Sequence, residues 1–288
     1  MIFSKIKVSN KLKTYFRLKF KSEPNLSNSR SQILLEFNAF QSYHVPVAYF
    51  SNFLKKKYQS KLVGYFNYKA LITPFEENII NKIKWKIGNF LNIKSFSIFR
   101  SFDVNRIIKP ELTFVETKLS NKIFNRLKKK ILNKDDVLKL SLDNIKIGDL
   151  LYDTYLKSSK NPTLFLDNKF YSLLSDFCKL YIFWKNYFKN NNIKAIIGVH
   201  SSYSYGLPLR IALKKKIPTY CVTFRKINKL SNKMQFLSGE FVNFKKKFKK
   251  IDKKIKKDGL SIAKKKIKMR FDGVAGIKSH IISSEVSS

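Results

Sequence analysis

Lys194 to Val222 reads KAIIGVHSSYSYGLPLRIALKKKIPTYCV, and its hydrophobic pattern decides the fold class. Ala195 to Val199 is a short apolar run of the kind a strand buried on both faces requires. His200 opens a polar, serine-rich loop, Tyr205 to Lys216 has helical spacing, and Pro218 to Val222 is a second apolar run. A helix between two buried strands is a crossover. Its right-handedness puts the loop after the first strand at the carboxyl edge of a parallel sheet, where doubly wound folds bind ligands. Ile33 to Phe37 as strand, Asn38 to His44 as loop, Val45 to Tyr58 as helix and Leu62 to Phe66 as strand repeat the plan. The expected class is α/β, Rossmann-like, with a mainly parallel sheet and helices on both faces.

Working outward, the polar run KSEPNLSNSRS (Lys21 to Ser31) predicts a linker, so residues 1–30 read as a basic, frayed terminal segment and the domain as 31–239. In the first helix Val47, Phe50, Phe53 and Leu54 recur at helical spacing. A helix from Phe75 to Leu91 opens with Glu76 and Glu77 and is expected to turn Ile79, Ile80, Ile83 and Ile87 inward. The alternation of Phe96, Ile98 and Arg100 predicts a strand over Ser95 to Phe102. A basic helix is expected from Glu111 to Ile131. Phe170, Leu173, Leu174, Phe177, Cys178, Tyr181 and Ile182 mark a long helix packed on the sheet. Glu240 to Arg270 predicts one basic surface helix with a thin stripe of Phe244, Phe248, Ile251 and Ile255. Gly273, Gly276 and His280 look like the start of a further unit over 271–288.

The chain has 288 residues, 44% hydrophobic and 15% aromatic, which is enough for a core and excludes a disordered polycation. Its formal charge is +40, from 59 Lys and Arg against 19 Asp and Glu. The excess is overwhelmingly lysine, accompanied by Asn, Ile, Phe and Tyr, which also fits a compositional background. Arginine, which forks onto phosphates and bases, is scarce. Cys178 and Cys221 lie apart in apolar surroundings and read as buried free thiols in a reducing compartment; no metal-ligand spacing surrounds them. No run has the length of a membrane-crossing helix and the N-terminus lacks a signal-peptide core, so a cytoplasmic location is expected.

Four stretches carry a family resemblance: LLEFNAFQSYHVPVAYFSNFLKKKY (Leu34 to Tyr58), IGDLLYDTYLK (Ile147 to Lys157), IGVHSSYSYGLPLRIALKKKIPTY (Ile197 to Tyr220) and RFDGVAGIKSHIISSEVSS at the C-terminus. Together they resemble bacterial surface-polysaccharide (capsule or lipopolysaccharide) biosynthesis proteins with GT-B glycosyltransferase-like architecture. The resemblance implies the N-terminal, acceptor-side half of such a protein, with a sugar acceptor as partner and a separate C-terminal half completing it. It implies no cofactor. The nucleotide-sugar donor would be a substrate, bound in that second half.

His200 and His44 sit in corresponding loops, and histidine exchanges protons near neutral pH, so both are candidate general bases toward a sugar hydroxyl. His200 could equally anchor its loop, and His44 could simply start its helix. Ser201, Ser202 and Ser204 lie at a helix N-terminus that favours an anion, or cap it. Asp149 and Asp153 share a helix face and could steer a metal or a sugar hydroxyl, or act as helix cap and as ion pair with Lys157. Arg210 could clamp a phosphate. The alternative from another class is a lysine-rich RNA-binding protein, ribosomal or organellar, with aromatics interleaved among lysines in Phe241 to Phe248. Dispersal of the lysines over the whole chain counts against nucleic acid. A third reading has the Glu240 to Arg270 helix contact anionic membrane, which would make the protein peripheral to the inner membrane.

Overall fold

The computed structural model describes residues 2–20, 26, 28–38, 41–66, 79–92, 95–159, 161–223, 226–232 and 244–272. The expectations for Glu76, Glu77, Gly273, Gly276 and His280 fall outside them. The chain divides into two units, residues 1–237 and 238–288.

In the first unit the elements in order are α1 (Ile2–Phe20), β1 (Ser31–Phe37), α2 (Gln41–Tyr58), β2 (Lys61–Phe66), α3 (Ile79–Phe90), α4 (Ser95–Arg100) and β3 (Val104–Ile108). Then come α5 (Phe114–Lys128), α6 (Lys134–Leu138), β4 (Ser141–Leu142), β5 (Ile145–Lys146), α7 (Gly148–Ser158), α8 (Asn168–Asn190), β6 (Asn192–Gly198), α9 (Gly206–Lys214), β7 (Thr219–Val222) and β8 (Ile227–Lys229). Among the described residues the main sheet runs β3-β2-β1-β6-β7-β8. The first five strands are parallel and β8 is antiparallel to β7. The expected β6–β7 crossover is present, with Ile196 opposite Thr219 and Gly198 opposite Cys221. β1 lies between β2 and β6, so chain order reverses direction across the β1–β6 pair. That pair is the topological switch point.

Two hydrophobic layers sandwich the sheet. On one side Leu34, Tyr65 and Ile196 meet α7, α8 and α9 through Leu150, Phe177, Trp184 and Leu209. On the other, Ile33, Leu35, Ala195 and Ile197 meet α1, α2 and α4 through Phe16, Val47, Leu54 and Phe99. Both faces of the central strands are covered, which is why they read as unbroken apolar runs.

Four expectations need correction. Residues 95–100 are helical rather than a strand, and the third strand follows at Val104. Phe96, Ser97, Ile98 and Phe99 are all buried, a run that a half-exposed alternating strand would not produce. The isoleucines of α3 point outward: Ile79, Ile83 and Ile87 are exposed, because Trp85 takes the inner face, edge-on to Phe37, Phe66 and Phe96. The N-terminal segment is a helix rather than a frayed tail, anchored by fully buried Phe16, whose ring is 5.4 Å from Phe102. Finally, the basic helix of the second unit is two helices, α10 (Phe244–Lys249) and α11 (Lys253–Phe271). Asp252 breaks it by accepting the amides of Lys254 and Ile255.

Candidate functional site

The carboxyl ends of β1 and β6 bring Glu36 and His200 together. Gln32 to Phe37 is apolar except at Gln32 and at Glu36, which is only 2% exposed. An isolated buried carboxylate is costly, so its hydrogen bonds decide whether it is tolerated. One oxygen of Glu36 accepts the backbone amides of Val199 (2.8 Å) and His200 (3.2 Å); the other meets His200 Nδ1 at 3.1 Å. The strand that ends at Gly198 thus delivers two amides and an imidazole to one acid. Gly198 permits the approach: a Cβ there would lie 3.3 Å from the Glu36 carboxylate and 3.0 Å from Leu209. With its Nδ1 proton directed at a carboxylate, a neutral His200 carries its basic lone pair on Nε2. The side chain is 32% exposed, at the rim.

Aromatic rings enclose the pair. The His200 ring is 5.0 Å from Tyr205 and 6.2 Å from Tyr43. Burial, with the Glu36 charge added, pushes the Tyr205 phenol up; burial, Cys221 and Glu36 raise Tyr43 in turn. These phenols stay protonated as hydrogen-bond donors. Tyr203, in a single 3-10 turn, has a positive φ of 55°, a strained conformation for a residue with a Cβ. Lys157 Nζ sits 4.2 Å over its ring and 5.9 Å from that of Tyr205, so α7 braces the loop.

The other candidates divide. Ser201 and Ser204, within the loop and its 3-10 turn, are buried, and Ser202 precedes that turn without a side-chain capping bond. Gly206 opens α9 where a Cβ would fall 2.4 Å from the Ser201 carbonyl oxygen. Arg210 and Asp149 do meet, but they satisfy one another: the guanidinium forks onto both carboxylate oxygens at 2.6 and 2.7 Å and also donates to the Lys146 carbonyl. Burial alone would raise the Asp149 carboxyl; the Arg210 fork overrides it and holds the group low. Asp149 is not the helix cap expected of it, because the α7 N-cap is Ile147, which makes no side-chain bond. Asp153, one turn along, is pushed up by burial and by Asp149. His44 lies inside α2, not in the loop, and is fully buried: its Nε2 meets the Asn38 carbonyl at 3.1 Å and its ring packs edge-on against Phe99. Burial holds that imidazole below its ordinary value.

Glu36, Tyr43, Tyr205 and Lys157 were missed from sequence. The signal for Glu36 was present, as a lone acid at the penultimate position of a buried strand. Among the described residues no group of His, Cys, Asp and Glu could hold a metal ion. No protein-family model, no curated protein and no solved structure matches this chain.

Proposed function

We propose that the chain is the acceptor-side half of a glycosyltransferase-like protein of cell-surface polysaccharide biosynthesis, with His200 as general base and Glu36 as its positioning partner. One observation carries this reading: a carboxylate-bound imidazole at the switch point of a Rossmann-ordered sheet. In the proposed reaction an acceptor hydroxyl gives its proton to His200 Nε2 as its oxygen attacks the anomeric carbon of an activated sugar, and the nucleotide leaves. Glu36 fixes the tautomer and stabilises the imidazolium formed. Tyr43, half-buried beside the imidazole, would stack on a sugar face or donate to its hydroxyls, with buried Tyr205 packing behind the His200 ring. The donor would be held by a second domain.

The test is saturation-transfer NMR of the full chain with a panel of oligosaccharides and UDP- and CMP-sugars, run alongside urea unfolding. Oligosaccharide contact at the His200 rim, abolished by His200→Ala in a protein that still folds, is the expected result; loss of one donor to the buried Glu36 carboxylate should itself cost about 1–3 kcal/mol in urea unfolding. Nucleotide sugars alone should bind weakly. Absence of any saccharide contact, or contact indifferent to His200→Ala, would overturn the assignment.

A further inference from the structure

α3 presents an apolar stripe to solvent. Ile79 is 72% exposed, Ile83 49%, Ile87 47% and Phe90 85%, with Ile80 and Leu91 also exposed beside them. At about 100° per residue these positions fall within an arc of roughly 120°. Lys84 stands at one margin of that arc and Lys86 at the other, and both are exposed. Opposite lies Trp85, fastened to Phe37, Phe66 and Phe96, with Asn89 accepting from Arg100 at 2.9 Å. The helix is therefore held by its inner face through Trp85, and its isoleucines and Phe90 face outward. Ordinary surface hydrophobics are scattered singly; a contiguous, cation-rimmed stripe marks a contact surface.

We propose that α3 docks the protein on an anionic lipid surface, lying in the interfacial plane with its isoleucines and Phe90 among the headgroups. Charge complementarity selects this occupant. The described helix contains no acid, lysines border the apolar arc on both sides, and the chain carries a net +40. An apolar stripe between cations is the pattern that lets alkyl groups enter the acyl boundary while the ammonium groups stay at the phosphates. No described helix is long and apolar enough to cross a membrane, so the contact is in-plane. Trp85 packs on Phe37 and Phe66, the last residues of β1 and β2. Docking through α3 therefore brings the sheet edge that bears Glu36 and His200 beside the lipid. The proposal does not depend on the sugar chemistry of that edge.

The experiment is flotation of the full chain with phosphatidylcholine vesicles containing or lacking phosphatidylglycerol, at low and high salt. The wild type should float with the anionic vesicles. Ile83→Ser combined with Ile87→Ser and Phe90→Ser should weaken partitioning more than about tenfold, since each buried methylene contributes. The fold should survive, because these side chains are exposed; near-ultraviolet circular dichroism checks it. Lys84→Glu with Lys86→Glu should cost roughly fivefold per lysine, an effect that fades at high salt. Ile255→Ser combined with Ile262→Ser in α11, both exposed, serves as control and should leave α3 docking in place. Failure of the wild type to float, or unchanged flotation of the α3 variant, would overturn the proposal. A concentration-dependent dimer in sedimentation, lost in the α3 variant, would also overturn it and assign the stripe to a second copy of the chain.

Discussion

A buried carboxylate survives here because donors converge on it. The groups that meet Glu36 are two amides and an imidazole, so it acts as an anchor for the loop as well as a partner for His200. The second histidine behaves differently. His44 is fully buried, and burial holds its imidazole below its ordinary value against the raising effect of the Asn38 carbonyl. The unfolded chain then binds the extra proton more readily than the folded one. His44 thus adds stability that is fully present above about pH 6.5 and is lost as pH falls from there toward the lower folded value. Urea midpoints taken at about pH 7.5 and about pH 5.5 should differ less in His44→Phe, which keeps a ring against Phe99, than in the wild type. An identical difference in both proteins would mean that other groups set the acid sensitivity.

At the scale of elements, the Arg210 fork joins α9 to α7 and to the β5 carbonyl of Lys146. Both charges are largely withdrawn from water, so removing one leaves the other uncompensated. Arg210→Met should destabilise by about 3 kcal/mol, and adding Asp149→Leu should recover much of that, since a packed apolar pair can replace a buried ion pair. Urea unfolding of the two single variants and the double variant measures it; a double variant as unstable as the sum of the singles would contradict the argument. The two element-level misreadings have separate causes. Over six residues, Ser95 to Arg100 offers too few turns to separate a period of 2 from 3.6. For α3, periodicity correctly marked an apolar face but carried no information about its direction, and Trp85 decided that through three aromatic neighbours.

At the scale of the molecule, both thiols report on the integrity of the sandwich. Cys178 lies in α8 and Cys221 in β7, both fully buried and free. Burial pushes Cys178 up to about 12 and raises Cys221 further, with the Glu36 charge adding to the latter. Reaction requires the thiolate and access to it. At mildly alkaline pH an aromatic disulfide reagent should label neither thiol in the folded protein, and both should become reactive together through the urea transition. Prompt labelling of Cys221 without denaturant would reveal local opening of the β7–β8 pair, where Cys221 lies opposite Asn228.

What the sequence alone determined was the class and order of the fold: four apolar runs alternating with helices specify a parallel, doubly covered sheet, because only strands buried on both faces dispense with polar alternation. It also placed His200 at the carboxyl edge, since strand end and crossover handedness are local properties. Only the tertiary structure paired β1 with β6 and so set Glu36 on His200, 164 positions apart, and it alone brought Asp149 to Arg210, 61 positions apart. It alone drew His44 into α2 and turned the isoleucines of α3 outward. Contacts of that sequence separation depend on which strands become neighbours and which face of each helix the core accepts, quantities that no local pattern encodes.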